Sequence, residues 1–97
     1  MILKKDMIIK TSKEFDAKYI LRIRKNDRLR RETIQAIELF KQDPNSEVLA
    51  NHQLYGQMQG LWSFSINGDY RIIYILSDNG KVARFLDIGT HDDVYYS

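Results

Sequence analysis

Residues 61–95, LWSFSINGDYRIIYILSDNGKVARFLDIGTHDDVY, restrict the fold more than any other part of the chain. Three apolar runs are separated by two turn signals, Asn67-Gly68 and Asp78-Asn79-Gly80. In the first run Trp62, Phe64 and Ile66 alternate with Ser63 and Ser65, the period of a half-buried strand. In the second, Tyr70, Ile72, Tyr74 and Leu76 alternate with Arg71, Ile73 and Ile75. The turn length decides which sets share a face, because a one-residue slip sends every side chain to the opposite face. A two-residue Asn67-Gly68 turn would place Arg71 among the aromatics, and burying an unpaired guanidinium costs several kcal/mol. A three-residue loop, Asn67-Gly68-Asp69, instead pairs Ser65 with Arg71 and gathers the apolar side chains on one face. The longer loop is the expectation, although Asn-Gly is usually a two-residue signal. The third strand is expected over residues 81–88, with Leu86 and Ile88 inward and Phe85 and Asp87 facing the same way as Arg71.

The preceding half reads as helical support. Residues 7–10 form a short apolar run, expected as a strand, and residues 1–6 are either a lead-in or an extension of it. Thr11 and Glu14 have capping-box spacing. Phe15, Tyr19 and Ile23 recur on one helical face, predicting a helix over residues 13–24. Asn26-Asp27 offers a stop and a new N-cap. A second helix is expected over residues 28–42, burying Leu29, Thr33, Ala36, Ile37 and Phe40, and ending before Pro44. The short connection makes the two an antiparallel hairpin. Residues 46–60 are a long connection tacked down by Leu49, Leu54 and Tyr55, with His52 in it. Residues 92–97 are expected as a tail. The sum is one α+β domain over residues 1–97: an N-terminal strand, then a two-helix hairpin on one face of a small, mainly antiparallel sheet, in the order β-α-α-β-β-β. The other sheet face, with Ser63, Ser65, Arg71 and Asp87, is left open, and His91 and Tyr95 lie at its edge.

Charge is unevenly spread. Residues 1–31 carry eleven Lys and Arg against four Asp and Glu, and residues 32–97 carry four against nine. The densest run is Arg22, Arg24, Lys25, Arg28, Arg30 and Arg31, either a phosphate-meeting surface or a solvated helix face. There is no cysteine, which removes disulfides, a thiol nucleophile and Cys-based zinc sites. Two histidines and scattered carboxylates give no metal-ligand spacing. No apolar run is long enough to span a membrane, and the start MILKKDMII has no signal-peptide core, so a cytoplasmic location is expected.

Arg71 is read as a phosphate clamp or as a surface ion pair, with Asp87 the candidate partner. His91 is a proton-transfer group or an exposed tail histidine. Asp69 belongs to the turn, and Tyr95 either stacks on a base or docks on the core. An enzyme built from these parts works by metal-free acid–base chemistry with arginine stabilisation, with no cofactor. RNA is a fitting polyanion, because its 2′-OH supplies the nucleophile.

The runs QLYG from Gln53, GLWSFSINGDYRIIY from Gly60 and DIGTHDDVY from Asp87 resemble the RelE/ParE toxin superfamily of type II toxin–antitoxin systems, closest to its YafQ-like branch. The resemblance covers about residues 7–95. It implies a RelE-like fold and a ribosome-dependent endoribonuclease that cuts mRNA and is held inactive by a cognate antitoxin. By position it implies Arg71 as the phosphate-stabilising arginine and His91 as a catalytic histidine. It also implies Asp69 and His52 as further active-site positions and Tyr95 near an aromatic position of the C-terminal segment. Ser65 stands where YafQ-like relatives have a histidine and RelE a lysine, and Ser63 likewise replaces a RelE lysine. Ser63, Ser65 and the basic run are the expected RNA- and ribosome-facing residues. Two alternatives remain: a ParE-like module that inhibits DNA gyrase, and a decayed toxin that only binds its antitoxin.

Overall fold

The computed structural model describes residues 6–95. Residues 1–5 of the lead-in expected over residues 1–6, and the end of the expected tail, residues 96–97, lie outside the described residues. The elements are β1 (Ile8–Thr11), α1 (Lys13–Arg22), α2 (Asp27–Gln42), β2 (His52–Gln53), β3 (Trp62–Ser65), β4 (Tyr70–Ser77), β5 (Val82–Thr90) and α3 (His91–Tyr95). They build one five-stranded sheet in the order β1-β5-β4-β3-β2. β1 runs parallel to β5, and every other pairing is antiparallel.

The three-residue turn forms. Ser65 faces Arg71 and Phe64 faces Ile72, while the Ile66 N–H donates to the Tyr70 carbonyl at 2.8 Å. The Asn67 side-chain oxygen accepts from the N–H groups of Asp69 and Tyr70, both at 2.8 Å, and so closes the loop internally. That local bond and the burial of the aromatic face both favour this register over a two-residue turn.

Expectation and structure part at β5. Ile73 pairs with Asp87 but Tyr74 pairs with Phe85, leaving Leu86 as an extra residue. The resulting bulge reverses the alternation. Phe85 therefore points into the main core and is fully buried, rather than sharing the face of Arg71. It meets Phe40, Phe64 and Tyr74 there. Phe40 of α2 stacks on Phe64 at 4.4 Å between centroids and meets Tyr74 edge-on at 4.9 Å. Truncating a ring at such a centre costs roughly 3–5 kcal/mol.

The helices differ from expectation at their ends. The cap of α1 is Ser12, whose hydroxyl accepts from the Phe15 N–H at 3.0 Å. Thr11 cannot serve, because its pairing with Phe85 holds it in β1. α1 stops at Arg22, with the Ile23 and Arg24 N–H groups both turned onto the Tyr19 carbonyl. Asn26 caps α2 by accepting from Leu29 N–H at 3.0 Å. α2 buries Leu29, Thr33, Ala36 and Phe40, with Ile37 partly buried against the same core. It runs back from the β3–β4 turn to β1, where Met7 N–H donates to the Lys41 carbonyl.

Two further elements were not visible in the sequence. Within the long connection His52 and Gln53 pair with Ser63 and Trp62, adding an edge strand. Asn51 ties this segment down, donating to the Pro44 carbonyl and accepting from the Tyr74 hydroxyl at 2.7 Å. Second, the expected tail forms the helix α3, which turns back over the sheet. Val94, Leu54 and Ile73 make a small second core there, with Met58, Leu61 and Tyr95 packed around it. The face expected to be open is therefore half covered.

Candidate active site

β4 positions Arg71 opposite Ser65 on one side and Gly89 on the other. One residue pair further along the same face, Ile73 lies between Asp87 and Ser63, and Ser63 faces His52. These side chains belong together by register alone. α3 then adds the remaining two, and its placement comes from its first turn. Thr90 N–H donates to Asp93 Oδ2 at 2.9 Å, and Asp93 N–H donates to Thr90 Oγ1 at 3.1 Å. This reciprocal box closes the start of the helix. His91 N–H is held by the Asp69 carbonyl at 3.2 Å, so the β3–β4 turn and the helix start are joined.

With the helix fixed, the His91 and Tyr95 rings meet edge-on at 4.5 Å between centroids, the contact of an i, i+4 pair. The Arg71 guanidinium carbon lies 5.8 Å from the centre of the Tyr95 ring. The Tyr95 hydroxyl donates to Ser63 Oγ at 3.0 Å. Ser63 is fully buried, so it anchors Tyr95 from beneath. Ser65 donates to the Asn67 carbonyl and so braces the turn. Arg71 Nε is buried and is the only such side-chain nitrogen or oxygen among the described residues without a hydrogen-bond partner. A buried donor left unmade is costly, and an oxyanion would satisfy it.

His52 and His91 are both exposed. His52 Nδ1 lies 2.9 Å from the Ala50 carbonyl. A carbonyl only accepts, so Nδ1 carries the proton, and in the neutral ring Nε2 holds the free lone pair of a base. His91 Nδ1 lies 3.5 Å from Asp92 Oδ1, a pair that gains strength when the imidazole is protonated.

Arg22 is not part of an outward basic face. Its side chain is 18% exposed, donates to the Ile88 carbonyl at 2.9 Å, and lies 3.4 Å from Asp87 and 3.9 Å from Asp93. It thus takes the carboxylate considered as a partner for Arg71. It also satisfies the edge of β5 beyond the end of β1. The Asp93 carboxyl is held below the ordinary carboxylate range by the Thr90 N–H first. Partial burial opposes this, and the Thr90 side chain, Arg22 and Lys18 add to it. Gly89 is the point of closest approach, since a Cβ there would stand 2.7 Å from both Arg22 Nη1 and Asp93 Cβ. Sequence reasoning missed Arg22 and Asp93 as builders of the site. The Thr-x-x-Asp spacing of residues 90–93 was the available signal.

Elsewhere in the basic run, Arg28 pairs with Glu32 at 3.8 Å and Arg30 with Asp27 at 3.1 Å. Arg28 also lines an open cleft of about 450 Å³ beside Asn67, Gly68, Asp69 and Tyr70, at the rim of the turn that holds His91. Arg24, Lys25 and Arg31 are exposed.

An α+β layer with a strand, two helices and an open mixed sheet is the fold of RelE-like toxins. The family profile described as the bacterial toxin of type II toxin–antitoxin system, YafQ, matches residues 7–96, and the chain belongs to that family. Its structure is similar to YafQ from Escherichia coli strain BL21(DE3), with 22% sequence identity and a TM-score of 0.72 over 92% of this chain and 98% of that one. It is equally similar to a YoeB/ParE toxin from Agrobacterium tumefaciens, again at 22% identity and TM-score 0.72, over 88% and 99%. YafQ in the E. coli DinJ–YafQ toxin–antitoxin complex matches at 22% and 0.70, over 93% and 98%. A search of curated protein sequences gives no match. No described helix is long and apolar enough to cross a membrane.

Proposed function

We propose that this toxin is a ribosome-dependent endoribonuclease that cuts mRNA by metal-free acid–base chemistry in the cytoplasm. The observation that carries the reading is the buried Nε of Arg71, unpartnered among the described residues and beside the Tyr95 ring, on the sheet face that also bears two imidazoles. Arg71 binds the scissile phosphate and stabilises the charge that develops on it. One group removes the proton of the 2′-OH, whose oxygen attacks the adjacent phosphorus. A second group gives a proton to the departing 5′ oxygen, leaving a cyclic phosphate. His91 is one of the two, and His52, with Nε2 unprotonated in its neutral form, is the candidate for the other. Asp69 acts through its carbonyl, which holds the His91 backbone. Tyr95 lies beneath the guanidinium as a ring on which a base or the arginine stacks. Arg24, Lys25, Arg28, Arg30 and Arg31 meet RNA or ribosome phosphates. Among the described residues no group of three or more His, Cys, Asp and Glu side chains converges in a metal-binding arrangement.

A cognate antitoxin is the expected protein partner, as in the DinJ–YafQ toxin–antitoxin complex of the E. coli relative. The test is induction of the wild-type chain and of an Arg71→Ala/His91→Ala variant, followed by primer extension on mRNA with and without ribosomes. Cleavage by the wild type alone, and only with ribosomes, is the expected result. Intact transcripts with arrested DNA replication would instead identify a gyrase inhibitor.

A further inference from the structure

The sheet face that carries Arg71 continues past α3, and that uncovered half is cationic. Lys10 of β1 and Arg84 of β5 are direct partners in the parallel ladder. Ile9, Ala83 and Phe85, their neighbours in sequence, pack in the main core, so Lys10 and Arg84 project from the opposite face. Both are exposed, and Ile75, across from Arg84 on β4, is 39% exposed. Neither cation has an ion pair or side-chain hydrogen bond within the described residues. Two positive side chains on strands ~4.8 Å apart repel one another. A lysine on an edge strand has a common use in blocking strand addition. Arg84 has no such use, because β5 lies between β1 and β4.

From this geometry we infer that Lys10 and Arg84 form a second phosphate-binding subsite, which holds the same RNA strand away from the point of cleavage. The inference rests on the ribonuclease reading for its ligand. Arg84 lies four residues along and one strand across from Arg71, about 14 Å at ~3.3 Å per residue and ~4.8 Å between strands. That distance is about four steps of a stacked strand at ~3.4 Å each. A phosphate between Lys10 and Arg84 removes their repulsion, so the polyanion supplies what the described residues do not supply at this pair.

The test uses the full chain with His91→Ala, which keeps RNA intact, and this background with Lys10→Glu or with Lys10→Ala/Arg84→Ala. Binding of labelled single-stranded RNA of three and of twelve nucleotides is measured by anisotropy across a salt series. Loss of two phosphate contacts should weaken binding of the twelve-mer roughly tenfold and flatten its log–log salt slope by about 1.4, leaving the three-mer unchanged. Lys10→Glu creates a cross-strand ion pair with Arg84. It should raise the melting temperature by roughly 1–4 °C while weakening the twelve-mer, a split that misfolding cannot produce. Equal twelve-mer affinities and slopes in all three proteins would overturn the subsite. So would a poly-glutamate peptide that binds the parent more tightly than RNA and is lost in Lys10→Glu, which would make the patch a site for an acidic protein. A subsite that behaves as expected in a chain whose wild type leaves mRNA uncut would refute the nuclease reading alone.

Discussion

Thr90 and Asp93 cap each other: each backbone N–H donates to the other's side-chain oxygen, at 2.9 and 3.1 Å. The pair converts the end of β5 into the start of α3 and so sets where His91 and Tyr95 stand. Asp93→Ala removes one half of the box and a contact of Arg22. It should cost about 1 kcal/mol in a denaturant titration, the usual value of a cap. Toxicity should fall by more than that stability loss explains, because α3 carries two of the site residues.

The same carboxylate makes this part of the fold acid-sensitive. Its pKa is depressed in the folded chain, so its contribution is fully present above the unfolded value of 3.8 and is lost as pH falls below it. The stability advantage of wild type over Asp93→Asn should be constant near neutrality and shrink on acidification past that value. Thermal melts of both proteins at stepped pH check this, and an advantage that grew in acid would contradict it.

Gly89 is needed for space. It has no unusual backbone conformation, yet a Cβ would collide with Asp93 Cβ and Arg22 Nη1 at 2.7 Å. The arginine tip can move, whereas Asp93 is fixed by its cap. Gly89→Ala should therefore destabilise by roughly 1–3 kcal/mol, as overpacking does. Combining it with Arg22→Ala should restore little. Denaturant midpoints of the single and double variants decide it.

The strand alternation and the register around Asn67-Gly68-Asp69 were legible because placing Arg71 among the core aromatics is expensive, and only one loop length keeps it out of them. The orientation of Phe85 was not. A bulge at Leu86 costs one unpaired residue and wins a fully buried aromatic, and no local residue announces that exchange. His52-Gln53 is too short to show a period, so β2 was hidden in a connection. α3 was missed because Asp92-Asp93 reads as a solvated tail unless Thr90 is recognised as its cap. Composition placed Arg22 in an outward basic run, but Asp87, Asp93 and the Ile88 carbonyl draw it inward. Charge counts carry no information about direction. Arg71, His91, Tyr95 and Ser63 were all named in the sequence. Their contacts depend on α3 and were not visible there.

Ser63 gives a test of how Tyr95 is held. Its hydroxyl is buried and accepts the Tyr95 hydroxyl proton at 3.0 Å. Ser63→Ala should cost about 1 kcal/mol and loosen the ring beside Arg71. Tyr95→Phe removes the same bond from the other side. If the bond acts only between these two groups, the double variant should be no worse than the worse single one, a coupling read from a double-mutant cycle. Additive losses would show that Ser63 supports the site by another route.

Tyr74 reports on the main core at alkaline pH. Burial pushes its phenol up to about 12 from 10.0, while the hydrogen bond to Asn51 pulls the other way. The neutral ring is therefore the form the fold prefers. Its contribution is complete below pH 10.0, the unfolded value, and is lost as pH rises through that value towards about 12. Tyr74→Phe removes the ionising group together with the bond to Asn51 Oδ1. At neutral pH the variant should be less stable by about 1 kcal/mol, the usual worth of one hydrogen bond. Above pH 10 the wild type should lose stability faster than the variant, so that the two unfolding midpoints converge. Parallel pH profiles would mean that Tyr74 ionises freely in the folded chain, in conflict with its burial between Phe40, Phe64 and Phe85.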